Sequence, residues 1–249
     1  MRKPLVAGNW KMHGSRASVN ELVDHIKASS IDGIDVAVFP ACIFIPQVAQ
    51  NLSETSLQWG SQDLYFEPQG AYTGEISGPM LADFGCHYVL VGHSERREHF
   101  HEDDKIVSLK FAAAIDAGLE PVLCVGETES EREAEQTSDV IRRQLDAVLN
   151  AVGIEGFAKA VIAYEPVWAI GTGNQASPEQ AQTVHAFIRE YLNQLSPEVA
   201  QSLRILYGGS VKPENAAGLF SMPDIDGGLV GGASLNAEHF VAICEAAQQ

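Results

Sequence analysis

Four side chains in this sequence have the types needed for proton-transfer chemistry: Glu165, His93, Lys11 and Asn9. Glu165 closes the apolar run Ala160-Val161-Ile162-Ala163-Tyr164, and Pro166 follows it at once. Such a run reads as a strand buried on both faces, and a proline directly after it stops the hydrogen-bond ladder. The next residues, Val167, Trp168, Ala169, Ile170, Gly171, Thr172 and Gly173, make an apolar loop with two glycines. Solvent exposure alone explains such a loop poorly. With Pro166 it reads as a lid that covers a site beside the Glu165 carboxylate. A glutamate ending a strand is by itself an ordinary surface residue, and the lid is what changes the reading.

Similar juxtapositions recur along the chain. The first apolar run, 5–7, leads into Gly8-Asn9-Trp10-Lys11-Met12, and the fourth, 88–91, into Gly92-His93-Ser94-Glu95. Lys11 can set positive charge against a phosphate or a developing oxyanion, with Glu95 as its ion-pair partner. Gly208-Gly209-Ser210 and Gly231-Gly232 follow the last two strand-like runs. Glycine-rich turns let backbone N–H groups approach an anion, although either turn alone could be only a tight bend. Two on adjacent strands, opposite a lid, point to phosphate. His93, His99 and His101 lie near one another, but the polar segment 98–104 places the last two in solvent. There is no His-Glu-x-x-His and no Cys/His cluster at ligand spacing, so no metal is expected. Gly171-Thr172-Gly173-Asn174-Gln175-Ala176 matches a dinucleotide fingerprint, with Glu190 downstream, but it follows no strand directly and precedes the helix cap at Ser177.

The elements that must position these groups alternate regularly. Strands are expected at 5–7, 36–39, 57–61, 88–91, 122–125, 160–164, 204–207 and 228–230. Helix starts are signalled by the boxes Ser18-Val19-Asn20-Glu21, Thr128-Glu129-Ser130-Glu131 and Ser177-Pro178-Glu179-Gln180, and by Pro46 and Pro213. Gly118 ends a helix through 110–117, and Val140, Ile141, Leu145, Val148 and Leu149 share one helical face. Eight strand–helix units in 249 residues imply a single α/β domain over 1–249, a closed (β/α)8 barrel, with an open doubly wound sheet as the alternative. In such a barrel the C-terminal strand tips share one face, which would gather Asn9, Lys11, His93, Glu95, Glu165, Ser210, Gly231 and Gly232. The stretch 62–78 has no helical period and is unusually long for a loop in a compact domain.

Sixteen Lys and Arg against 33 Asp and Glu give a net charge of −17. That excludes nucleic acid and anionic membranes as natural partners and requires a local positive site for an anionic substrate. Cys42, Cys86, Cys124 and Cys244 are widely spaced and read as reduced thiols. No apolar run approaches a membrane span and no signal-peptide pattern opens the chain, so a cytoplasmic location is expected.

With these residues assembled, the chain resembles the triosephosphate isomerase family over essentially its whole length. The resemblance rests on Gly8-Asn9-Trp10-Lys11-Met12, Gly70-Ala71-Tyr72-Thr73-Gly74-Glu75, Val91-Gly92-His93-Ser94-Glu95-Arg96-Arg97, the segment 164–173, Tyr207-Gly208-Gly209-Ser210 and Leu229-Val230-Gly231-Gly232. It implies a TIM barrel that interconverts dihydroxyacetone phosphate and glyceraldehyde 3-phosphate without cofactor or metal, in glycolysis and gluconeogenesis. This family is the reference case for tuned acid–base pairs and loop closure. Carried onto this sequence, it makes Glu165 the base, desolvated under the lid, and His93 a neutral electrophile with its pKa lowered by a helix N-terminus. Lys11 and Asn9 stabilise the substrate oxygen, while Gly171, Ser210, Gly231 and Gly232 bind phosphate. The resemblance also implies a homodimer through 62–78, with Thr73 beside the partner subunit's Asn9 and Lys11. Asn174 stands where the family commonly has Lys after the lid, which leaves the lid's closing rate open, while His13 replaces a usual Asn after the first motif and Tyr72 a common Phe in the dimer loop. The competing readings are another phosphosugar barrel, a dinucleotide-dependent dehydrogenase and a non-catalytic phosphate-binding scaffold.

Overall fold

The computed structural model describes residues 2–170 and 175–248. Eight strands, β1 (Leu5–Asn9), β2 (Asp35–Phe39), β3 (Gln58–Ser61), β4 (Tyr88–Val91), β5 (Glu120–Val125), β6 (Val161–Tyr164), β7 (Arg204–Tyr207) and β8 (Gly227–Val230), close into a barrel in chain order. Every neighbouring pair is parallel, and β8 returns to β1 through Leu5 opposite Gly227. The closed (β/α)8 barrel therefore replaces the open-sheet alternative.

Side-chain alternation along each strand builds two cores. Leu5, Ala7, Phe39, Leu90, Val122, Cys124, Ala163 and Leu206 fill the barrel interior. Val6, Val38, Val89, Leu123, Ile162 and Ile205 point outward into a continuous layer with the helices' apolar faces. That division explains why the strands read as unbroken apolar runs: both faces are dry. Among the described residues, no helix is long and apolar enough to cross a membrane.

Helix starts follow local capping chemistry, with one displacement. The first helix, Arg16–Ala28, is capped by Ser15 with Ser18 as its third residue, three positions before the expected box. Ser15 and Ser18 bond each other's backbone N–H reciprocally, so a serine does there what the Glu of a standard box does. The boxes at Thr128 and Ser177 form as expected. The segment after Thr128 breaks, however, into Glu129–Glu133 and Thr137–Val152, with Glu135 between them at φ 57°. A further helix, Ser94–Phe100, follows directly on β4.

Candidate active site

The C-terminal strand tips open into a cavity of about 950 Å³ lined by Asn9, Lys11, His93, Glu95, Glu165, Ser210, Gly231 and Gly232, among others. These are the expected site residues, arriving from β1, β4, β6, β7 and β8. Gly171, Thr172 and Gly173 of the expected lid, and Asn174, lie outside the described residues. Of the lid's first half, Val167–Ala169 forms one 3-10 turn after Pro166, and Ala169 is buried.

The centre of the site is the pair His93–Glu165. Both side chains are almost fully buried, and Nε2 of His93 lies 3.0 Å from Oε1 of Glu165. The Ser94 N–H donates to the other carboxylate oxygen at 2.9 Å. His93 is also the N-cap of helix Ser94–Phe100, its Nδ1 accepting the Glu95 N–H at 3.2 Å. A ring nitrogen that accepts an amide proton carries none of its own, so the neutral ring in this geometry is the Nε2–H tautomer.

The two groups push each other's charge states. For Glu165, burial raises the pKa, but His93, the Ser94 amide and Lys11 together hold it below the ordinary carboxylate value. For His93, burial lowers the pKa, while the Glu165 carboxylate and, less strongly, Glu95 raise it above the ordinary value. The helix N-terminus expected at His93 is present, but the lowered pKa is not: a carboxylate in direct contact outweighs an amide dipole. Likewise the extra basicity expected for Glu165 requires that this contact be broken. A substrate seated between the two groups would break it.

Lys11 reaches the pair from the opposite wall. Its Nζ meets Glu95 Oε1 at 2.5 Å. Its backbone stands at φ 50°, a conformation unusual for a side-chain-bearing residue. Asn9 holds it there by accepting the Lys11 N–H at 3.0 Å, and Gln62 donates to the Lys11 carbonyl at 2.9 Å. At the adjacent tip of β8, a Cβ built on Gly231 would meet the Lys11 side chain at 3.4 Å, while one on Gly232 would meet nothing within 4 Å. The backbone of the last turn is thus open to a ligand beside the lysine.

Sequence reasoning passed over three groups of residues. Glu127, after β5, is wholly buried and accepts from the Tyr164 hydroxyl and the Trp168 indole N–H, both at 3.0 Å. Burial raises its pKa above the ordinary range despite those donors. Arg132 stacks over the Trp168 ring at 4.0 Å and lies 3.7 Å from Glu127, so the lid's tryptophan is held on two sides. Gln144 clasps Gly126 through both its amide atoms. Finally, Lys110 is buried between Asp63 and Glu102, both also bonded by Arg96. That cluster ties the long loop after β3 to the His93 turn. Glu102 looked like part of an exposed polar segment. His99 and His101 of the same segment are indeed exposed. Among the described residues no three His, Cys, Asp or Glu side chains group as metal ligands.

A family model described as triosephosphate isomerase matches residues 4–247. The chain belongs to the triosephosphate isomerase family. Proteins named triosephosphate isomerase from Pseudomonas aeruginosa strain PAO1 and from Pseudomonas entomophila strain L48 are 59% and 58% identical to it, each aligned over 99% of both chains. A third, from Pseudomonas putida strain W619, is 58% identical over the same share. The family comprises isomerases, which sets aside the dehydrogenase and the non-catalytic scaffold.

Proposed function

We propose that Glu165 and His93 interconvert dihydroxyacetone phosphate and D-glyceraldehyde 3-phosphate by moving a proton between adjacent carbons. The observation that carries this is the direct facing of a buried carboxylate after β6 and an Nε2–H imidazole after β4, 3.0 Å apart. Glu165 takes a proton from C1 of the ketose as the C2 carbonyl oxygen gains electron density. His93 donates a hydrogen bond to that oxygen from Nε2, and Lys11 offsets the charge of the enediolate. One proton passes from the C1 hydroxyl to the C2 oxygen, and Glu165 returns its own to C2, leaving the aldehyde at C1. Atoms balance with no redox partner. Backbone N–H groups of Ser210, Gly231, Gly232 and Gly171 bind the phosphate, and Asn9 orients Lys11. The lid from Pro166 to Gly173 keeps water from the enediolate.

The protein works as a homodimer through 62–78. Thr73 is exposed at the tip of that finger, which is braced internally by Tyr65 against Phe66 and Tyr72 at ring separations of 4.3 and 4.7 Å. Met12, Ile43, Met80 and Phe84 are exposed apolar side chains in the same half of the chain, as a partner surface requires. Free cysteines fit a cytoplasmic setting.

The test is conversion in D2O with chelator and no added cofactor, followed by NMR. Deuterium at C2 of the aldehyde product is expected, since the proton on Glu165 exchanges with solvent. Conversion with no deuterium at all at C2 would mean that no proton passes through a group that exchanges with solvent, which would count against Glu165 as the base. A folded protein without conversion would end the isomerase reading.

A further inference from the structure

The cavity mouth poses an electrostatic problem. Its described lining includes the carboxylates Glu95, Glu98, Glu129, Glu165 and Glu214 against two permanent cations, Lys11 and Lys212. The chain as a whole carries −17. A triose phosphate brings close to two negative charges at neutral pH, so this surface opposes its approach. Lys11 is half-buried and already engaged with Glu95 at 2.5 Å. Lys212 is exposed, makes no ion pair among the described residues, and stands two residues after Ser210 as the N-cap of helix Pro213–Phe220. Its backbone is pinned: its N–H donates to Asn215 Oδ1 at 2.8 Å, and Asn215 also donates to the Ser210 carbonyl at 2.9 Å. The ammonium is therefore tethered at the phosphate side of the mouth while its side chain stays free to meet an incoming anion.

We infer that Lys212 is a steering residue: it recruits the phosphate dianion to the mouth of the cavity and so sets kcat/KM at low ionic strength, without taking part in the proton transfer. The inference rests on the proposed phosphate site at the tips of β7 and β8. A single charge acting on a dianion across about 10 Å of water changes the encounter rate about three-fold at low salt, and the effect is screened as the Debye length shrinks.

The experiment compares Lys212→Gln, Lys212→Arg and Lys27→Gln with the wild type. Lys27 is an exposed lysine in the last turn of Arg16–Ala28, at the opposite end of the barrel, so its variant removes the same net charge elsewhere. At about 20 mM ionic strength, kcat/KM for glyceraldehyde 3-phosphate should fall about three-fold in Lys212→Gln and stay unchanged in the other two. The loss should vanish near 0.5 M salt and be absent for unphosphorylated D-glyceraldehyde, whereas a structural defect would survive both changes. Binding of inorganic phosphate, titrated by NMR without turnover, should weaken in the same variant. Equal values for Lys212→Gln and Lys27→Gln at low salt would overturn the inference. So would a loss that persists at high salt or extends to D-glyceraldehyde. Wild-type turnover tests the reading of the site, and the variant ratio tests Lys212, so the two failures are distinguishable.

Discussion

Gly126→Ala should damage the catalytic site without touching a catalytic side chain. A Cβ on Gly126 would fall 1.8 Å from the Glu165 carbonyl oxygen and 2.8 Å from its carbon. Ordinary carbon–oxygen contacts begin near 3.3 Å, so one of the two backbones must retreat by about 1.5 Å. Neither is free to do so. Gln144 bonds Gly126 at both N–H and C=O, at 2.9 and 3.0 Å, and the Glu165 N–H is tied to the Val125 carbonyl at 2.8 Å. Relief therefore breaks either the Gln144 clasp or the tip of the β5–β6 ladder. Overpacking of this kind costs about 1–3 kcal/mol, and each lost hydrogen bond adds about 1 kcal/mol. A total of about 3 kcal/mol corresponds to a melting shift of about 6–12 °C in a chain of this size. Displacing the Glu165 carboxylate by about 1 Å costs on the order of 100-fold in kcat. Circular-dichroism melting and steady-state kinetics measure both quantities. A variant melting within 1 °C of the wild type, with kcat within about three-fold, would refute the reasoning from Gly126 to Glu165.

Further outcomes follow from other sites. Gly218→Ala lies within helix Pro213–Phe220, where an added Cβ meets only Pro178 at 3.8 Å, so it should stabilise by about 0.5–1 kcal/mol in urea unfolding. Tyr164→Phe removes a donor from the buried Glu127 carboxylate and should cost about 2 kcal/mol in the same assay. His185 is fully buried, and burial lowers its pKa to about 4 from an ordinary value near 6.5. Between those values the unfolded chain binds a proton that the native state refuses, so this group's stability contribution is present above pH 6.5 and declines as pH falls toward 4. The full difference is about 3 kcal/mol. Asp63, pushed up to about 6 chiefly by burial, acts with the opposite slope, so the clean measurement is the pH dependence of the difference between wild type and His185→Gln. That difference should narrow as pH drops from 6.5 to 4, and a constant difference would contradict the assignment. Thr73→Asp should weaken self-association in sedimentation experiments and lower activity on dilution, and an unchanged association would remove 62–78 from the interface.

The strands were legible because both of their faces are apolar. Tyr88–Val91 and Arg204–Tyr207 have the bounds that their residues suggest, and the glycine-rich turns mark the tips of β7 and β8. Elements that depend on a particular partner were not legible. Ser15 caps the first helix through a second serine, a pairing without the acidic signature of the usual box. Glu102 and Lys110 look solvated in sequence and become buried only because Asp63 and Arg96 arrive from other segments. Glu127 gave no sign of burial, since its partner Trp168 lies 41 residues away. At the site, residue types identified Glu165 and His93, but their mutual pKa shifts arise from a 3.0 Å contact that no spacing in the chain encodes.

The proposed chemistry depends on Glu165 as the base. Steady-state kcat/KM for glyceraldehyde 3-phosphate in wild type and Glu165→Gln tests it most directly, because the amide keeps the shape and loses the proton acceptor. A fall of at least about 1,000-fold is expected, with the fold and melting temperature essentially retained. A Glu165→Gln variant that turns over at the wild-type rate would contradict it.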